Sequence, residues 1–156
     1  MAYTRLDHAK HNAALAEQLF KEGVYLDWVV TTAYYACNHY IRFHLFPLKD
    51  HGISHVHHSL ENWDEYVHYA RPKDKHAALC DLFYEKTKNS ILRRDLKQLL
   101  NHCNSARYTN YQISPATAND AIGTMRAISK YCATKRVKKA RKRIPAKTQL
   151  SQRKRK

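Results

Sequence analysis

The apolar positions between Leu26 and Leu45 recur at a spacing of three and four residues, the pattern of a helix with one buried face. The residues that share this face are Leu26, Val29, Val30, Ala33, Cys37, Tyr40, Ile41 and Leu45. The pattern stops near Phe46, and Pro47 cannot continue a helix. We therefore predict a buried central helix from Leu26 to about Phe46.

A first helix is predicted ahead of it, from about Arg5 to Glu22. Thr4 is a suitable N-cap, and Asp7 stands three residues later, in the position that completes a capping box. Gly23 is the residue type that commonly follows the last helical turn. Local sequence thus predicts both ends of this helix.

Beyond Pro47 the pattern predicts a loop over 47–54 and a third helix from about His55 to Tyr69, with Ser54 as its cap. Helical spacing resumes over 78–103, and an interruption near Asn89 leaves open whether this is one long helix or two.

Ser114 followed by Pro115 is a strong signal for the start of a last helix. No segment shows sustained strand alternation. We predict an all-α fold, an up-and-down bundle of four or five helices around one core. The four widely spaced cysteines, Cys37, Cys80, Cys103 and Cys132, are predicted to be buried, reduced thiols.

Charge is concentrated at the C-terminus of the chain. Residues 134–156 contain 12 Lys or Arg and no acidic residue, which leaves only +3 of the formal +15 for residues 1–133. We predict a helical bundle over 1–133 and a basic nucleic-acid-binding tail over 134–156, disordered from Arg141 onward until it meets a polyanion. Its predicted phosphate contacts are Lys135, Arg136, Lys138, Lys139, Arg141, Lys142 and Arg143.

No apolar run reaches the roughly 20 residues that cross a bilayer. The first residues also lack the apolar stretch of a secretory signal. The sequence therefore predicts a cytoplasmic protein without membrane association.

The order of several short motifs between Thr4 and Cys132 resembles the HEPN family. These motifs are Glu22-Gly23-Val24-Tyr25, Ala33-Tyr34-Tyr35-Ala36, Ser54-His55, a Leu-rich helix, and Arg107-Tyr108-Thr109-Asn110-Tyr111 followed by Ser114. The resemblance implies a helical bundle that binds or cuts RNA, often as a dimer.

Active ribonucleases of that family carry an Arg followed, after four to six residues, by a His at the start of the last helix. Counted from Arg107, the corresponding positions are Gln112, Ile113 and Ser114, none of which transfers a proton near neutral pH. Asn110 also stands where relatives often have an Asp. The chain is thus expected to be non-catalytic or catalytically degenerate.

Two other pairs are candidates if the protein is an enzyme. Arg71 and His76 have the spacing but precede the Leu-rich helix, where coincidence is the simpler reading. His102 and Arg107 are the second candidate catalytic pair; five helical residues separate their directions by roughly 140°, so they share a face only if the helix ends between them.

Histidines crowd the segment 51–58, where His55 and His58 are expected to share one face of the third helix. No Asp or Glu lies among them, so capping or phosphate contacts are favoured over a metal site, and no cofactor is predicted.

The segment around Arg107, Tyr108, Asn110 and Tyr111 is predicted to stack an unpaired base and grip its phosphate. In the structural alternative, Arg107 pairs with a carboxylate and ties the segment to the bundle. The tyrosines of the central helix, Tyr34, Tyr35 and Tyr40, are predicted to bury their rings and form hydrogen bonds at their hydroxyls.

The favoured function is an RNA-binding or ribonucleoprotein-binding homodimer that pairs through its last helices and the segments before them, with the tail supplying affinity. One alternative is an endoribonuclease that needs no metal, as in a toxin or a defence system. The other is a scaffold partner of a nucleotidyltransferase.

Overall fold

The computed structural model describes residues 4–109 and 111–141, with side chains as far as Thr134. Six helices and no strand form this part of the chain, so the all-α bundle is confirmed, with one helix more than the upper expectation. The helices are α1 (Arg5–Glu22), α2 (Leu26–Leu45), α3 (Trp63–Ala70), α4 (Lys75–Thr87), α5 (Ser90–Tyr108) and α6 (Pro115–Arg141).

Helix α1 begins and ends where its local signals place it. The Asp7 amide donates to the Thr4 hydroxyl over 3.2 Å, and the Thr4 amide donates to the Asp7 carboxylate over 2.9 Å. Gly23 adopts the left-handed region, with φ 69°, and its N–H donates to the carbonyl groups of Leu19 and Phe20. The predicted capping box and the glycine stop are both confirmed.

Helix α2 is the centre of the bundle, as its apolar periodicity predicts. It packs against α1, α4, α5 and α6. Its fully buried side chains include Val29, Val30, Ala33, Cys37 and Ile41. The helix ends at Leu45 because Phe46, which precedes Pro47, takes an extended conformation.

The predicted helix from His55 to Tyr69 is wrong in its first half. Residues 46–62 form a loop that an antiparallel bridge closes, in which Leu48 and Leu60 exchange backbone hydrogen bonds of 2.8 and 2.9 Å. Both leucines enter the core, so the loop buries apolar area without forming a helix. The cap of α3 is Asn62 rather than Ser54, and its side chain accepts hydrogen bonds from the amides of Asp64 and Glu65.

The helical pattern over 78–103 divides into α4 and α5. Lys88 takes a left-handed conformation with φ 55° and donates its amide to the Tyr84 carbonyl, which ends α4. Asn89 then caps α5 by accepting a hydrogen bond from the Leu92 amide. The Ser114 hydroxyl likewise accepts from the Thr117 amide, which confirms the predicted start of α6.

All four cysteines are free and buried, as predicted. Burial raises the pKa of the Cys80 and Cys132 thiols to about 12. Thiols of this kind pack as small apolar side chains and are poor nucleophiles.

Candidate nucleic-acid interface

A cleft of about 360 Å³ lies between the N-terminal half of α2 and the C-terminal end of α5. The residues that line it are Asp27, Trp28, Thr31, Tyr35, Ala106, Arg107, Tyr108 and Tyr111. The cleft thus brings together three predicted site residues, Arg107, Tyr108 and Tyr111. Asn110 lies outside the described residues.

Arg107 is held in the cleft by aromatic side chains. Its Nη1 donates a hydrogen bond of 2.9 Å to the Tyr35 hydroxyl. Its guanidinium carbon lies 4.7 Å from the centre of the Tyr108 ring and 5.8 Å from that of Tyr35. Such cation–π contacts orient a guanidinium without neutralising its charge.

The structural alternative, in which Arg107 pairs with a carboxylate, is not observed. No ion pair among the described side chains includes Arg107. Because Arg107 is exposed and takes part in no described ion pair, the cleft presents a guanidinium to an incoming anion.

Three large aromatic side chains leave much of their surface exposed around this cation. Trp28 is 57% exposed, and Tyr108 and Tyr111 are each 71% exposed. Large apolar rings clustered at one surface are unusual unless they contact a partner. Planar rings beside a fixed guanidinium are a favourable arrangement for stacking a base while binding its phosphate.

Sequence reasoning missed Asp27 and Trp28 and gave Tyr35 a structural role only. The sequence contains one signal that Trp28 is exposed. Trp28 falls between Leu26 and Val29, outside the three-and-four pattern of apolar positions that form the core. Tyr35 needed the structure, because its hydroxyl accepts from Arg107, a residue 72 positions away.

Tyr34, which precedes Tyr35 in α2, contacts a histidine. The hydroxyl of Tyr34 and Nδ1 of His76 are 2.8 Å apart, and the Tyr34 and Tyr35 rings meet edge to face. Burial lowers the pKa of His76; Asp74 opposes this effect, while the charges of Arg42 and Arg107 lower the pKa further. A neutral imidazole therefore lies within electrostatic range of Arg107 at pH 7.

Arg71 takes no part in this arrangement. It ends α3 in a left-handed conformation with φ 46°, and its amide donates to the Val67 carbonyl. The structure thus associates His76 with Tyr34 and Arg107 rather than with Arg71, its neighbour in the sequence motif.

His102 faces a different pocket, of about 280 Å³, between α5 and α6. Its lining residues are Asp95, Gln98, Leu99, His102, Asn119, Asp120, Ala121, Gly123 and Thr124. Helix α5 continues without a break through both His102 and Arg107. Within one chain the structure does not bring this predicted catalytic pair together.

Basic side chains gather at the other end of α2. Arg5 pairs with Asp64 over 3.4 Å, and the Arg42 guanidinium carbon lies 5.3 Å from the Trp63 ring centre. Beside them His39 stacks on a histidine of α1. Burial, with the charges of Arg42, His8 and Arg5, lowers the pKa of His39 to about 4. At pH 7 His39 is therefore neutral, and Arg42 is the arginine of this group that no described ion pair includes.

The histidines of segment 51–58 do not share a helical face, because the segment is a loop. Nδ1 of His51 accepts from the Ile53 amide, and Nε2 of His51 lies 3.1 Å from the His58 carbonyl. His51 therefore connects the two ends of segment 51–58. Across residues 4–109 and 111–134, no group of three or more His, Cys, Asp or Glu has the arrangement of a metal site.

Most of the predicted tail lies beyond what the structure describes. The backbone of α6 runs through Lys135, Arg136, Lys138 and Lys139 to Arg141, while Lys142 and Arg143 lie outside the described residues. The domain boundary near Thr134 and the phosphate contacts of these side chains stay predictions.

Comparison with known families gives a match over most of the chain. A family model described as HEPN domain matches residues 2–138, a range that contains both pockets. No curated protein and no solved structure matches the chain. Among the helices of the described part, none combines the length and apolar character needed to cross a membrane.

Proposed function

Because the chain belongs to the HEPN family, many of whose members bind RNA or cut it, we propose that it binds single-stranded RNA in the cleft between α2 and α5. Arg107 contacts a phosphate, and the rings of Trp28, Tyr108 and Tyr111 stack on unpaired bases. The observation that carries the proposal is the exposed guanidinium of Arg107, positioned by Tyr35 and not neutralised by a described carboxylate.

The basic residues from Lys135 onward supply affinity that does not depend on base sequence. Each phosphate neutralised on a single strand contributes a slope of about −0.7 to the dependence of log K on log salt. The tail therefore governs the salt dependence of binding, and the cleft governs the preference for unpaired RNA.

The proposed assembly is a homodimer that pairs through α6 and the segment preceding it. Tyr111, which lies in that segment, is exposed in the single chain. Sedimentation equilibrium tests this directly, since a mass of one chain at micromolar concentration contradicts the pairing.

The main experiment compares single-stranded and duplex RNA of equal length, about eight nucleotides, by fluorescence anisotropy. Wild-type protein should prefer the single strand, and Arg107→Ala should remove most of that preference. Removing residues 142–156, which contain seven Lys or Arg, should lower both affinity and salt slope. Unchanged single-strand affinity in Arg107→Ala would contradict the cleft, and an unchanged salt slope would contradict the tail.

A second candidate function is an endoribonuclease that uses His76 with Arg107. The neutral state of His76 favours it, because a general base must accept a proton from the attacking hydroxyl. Nδ1 is bound to Tyr34, which leaves Nε2 as the nitrogen for proton transfer.

The test for cleavage is incubation with cellular RNA, with and without EDTA, followed by mapping of new ends. Cleavage that survives EDTA and His102→Ala but is lost in His76→Ala supports this candidate. Salt-sensitive binding without new ends supports the RNA-binding function alone.

A further inference from the structure

Asp27 is the one carboxylate among the described residues that line the Arg107 cleft. It belongs to the first turn of α2, and its side chain takes part in no described ion pair. Its backbone carbonyl accepts a 2.8 Å hydrogen bond from the Thr31 hydroxyl, so that nearby hydroxyl is already committed to the helix. The carboxylate therefore remains available for a ligand.

A carboxylate in a phosphate-binding cleft is unfavourable unless it binds hydrogen-bond donors of the ligand. It repels phosphate charge, and it accepts hydrogen bonds without donating any. Trp28 and Asp27 line the same cleft, so the polar edge of a base stacked on Trp28 can meet the Asp27 carboxylate. The donors are therefore expected on the edge of a base.

Guanine is the RNA base whose Watson–Crick edge presents two adjacent donors, the N1–H and the exocyclic amino group. Adenine and cytosine each place a donor beside an acceptor, and uracil places one donor between two acceptors. The two oxygens of a carboxylate match the guanine edge and face a lone pair on the others.

We propose that this cleft selects an unpaired guanine, with Asp27 accepting hydrogen bonds from its N1–H and amino group while Arg107 binds a flanking phosphate. This selectivity rests on the proposed RNA-binding function and adds the identity of the preferred base. A paired guanine is rejected because its Watson–Crick edge is already occupied. The cleft, about 360 Å³, is near the lower limit for small-ligand sites and suits one nucleotide rather than a duplex.

The test uses the full-length protein and short oligouridines that carry one central guanine, adenine, cytosine or inosine. Inosine keeps the N1–H but lacks the amino group. Guanine should bind roughly tenfold to a hundredfold more tightly than adenine or cytosine, in the range of a good bidentate contact. Inosine should fall between guanine and adenine. This measurement needs no variant, so it holds even where a substitution disturbs folding.

The matched variants are Asp27→Asn and Asp120→Asn, each of which removes one negative charge. Asn offers one acceptor and one donor, so Asp27→Asn should lose the preference for guanine and favour adenine or cytosine. Asp120 lines the other pocket, and its variant should keep the guanine preference.

A second source of paired donors is the 2′,3′-diol at the end of an RNA strand. Oligodeoxynucleotides with one central guanine separate the two, because an internal deoxyguanosine has no such diol. Retained guanine preference supports the base contact, and its loss in DNA contradicts it.

Equal affinity for guanine, inosine and adenine, or a guanine preference unchanged in Asp27→Asn, would overturn the proposal. If Arg107-dependent binding persists in that case, RNA binding by the cleft still stands. Absence of any binding that depends on Arg107 would instead contradict the proposed function itself.

Discussion

Two pockets beside α5 differ in chemistry far more than in size. The cleft on the α2 side, about 360 Å³, contains Arg107 among exposed rings. The pocket on the α6 side, about 280 Å³, has His102 with the carboxylates of Asp95 and Asp120. The carboxylates of the second pocket repel a polyanion, whereas the cleft offers the Arg107 cation beside a single carboxylate, that of Asp27. Cavity volume alone therefore does not identify a nucleic-acid site on this protein; charge and ring exposure do.

Helix geometry produces this difference. Residues 95, 98, 99 and 102 of α5 recur at three-and-four spacing and line the acidic pocket, while residues 106–108 line the cleft. Five positions at about 100° each turn Arg107 roughly 140° away from His102. An unbroken helix thus assigns neighbouring sequence positions to separate surfaces.

Removing the cation of the cleft should have the largest effect. Arg107→Ala is expected to weaken single-stranded RNA binding roughly tenfold to a hundredfold, since hydrogen bonds to charged groups contribute about 1.5–3 kcal/mol. Arg94→Ala is the matched control, because Arg94 is an exposed arginine of α5 that pairs with Asp95 over 2.9 Å. Anisotropy titrations measure the RNA affinity of both variants. An equal loss of affinity in the two would mean that net charge alone determines binding.

Trp28 should come next in effect. Stacking on an aromatic side chain contributes about 1–3 kcal/mol per base, so Trp28→Ala should cost about tenfold in affinity. The fold should survive because Trp28 is exposed, whereas Trp63, the other tryptophan, is buried.

Fluorescence separates the two tryptophans. Single-stranded RNA should quench the emission of a Trp63→Phe variant, whose remaining tryptophan is Trp28. The reciprocal Trp28→Phe variant should show no quenching. Quenching of the buried ring instead would place the RNA away from the cleft.

The bundle is predictable from sequence where local signals decide the outcome, whereas only Arg107, Tyr108 and Tyr111 of the cleft are predicted. The capping box of Thr4 and the Ser114-Pro115 start of α6 involve neighbours in the chain, so both are read correctly. The loop over 46–62 depends on the pairing of Leu48 with Leu60, a tertiary contact that periodicity does not reveal. The contact of Tyr35 with Arg107 likewise joins α2 to α5 and requires the packed bundle.

Acid should destabilise the fold through His39, which is partly buried beside Arg42 and Arg5. His39 has a folded pKa of about 4, below the value near 6.5 expected in the unfolded chain, so the unfolded state binds the proton first. Its contribution to stability is complete above about pH 6.5 and is lost as the pH falls toward about 4. Thermal melts of His39→Gln should fall less over this range than those of wild type. His102→Gln is the control, and an equal benefit from it would contradict the assignment.

Placing a cation in the acidic pocket should have a smaller effect on RNA. Asp120 is exposed, so Asp120→Arg should leave the bundle intact. Reversing one charge should raise affinity for any polyanion a few-fold at low salt, and this gain should disappear as salt is added. The new arginine should give no preference for single strands, because the pocket has no Trp, Tyr or Phe side chain. Duplex and single-stranded titrations should therefore improve equally, and a selective gain for single strands would show that rings are not needed.

The smallest effect is expected at His102 itself. His102→Ala should change RNA affinity by less than about twofold, since surface substitutions outside a site are usually within 0.5 kcal/mol. The His102 imidazole lies in the pocket that Asp95 and Asp120 line, with its Nε2 3.4 Å from the Gln98 amide nitrogen. Arg107 lies on a different side of α5. Any cleavage of RNA should also survive in this variant, whereas His76→Ala should abolish it. Loss of cleavage in His102→Ala with binding intact would mean that Arg107 and His102 meet across two subunits, and would make the acidic pocket part of a composite site.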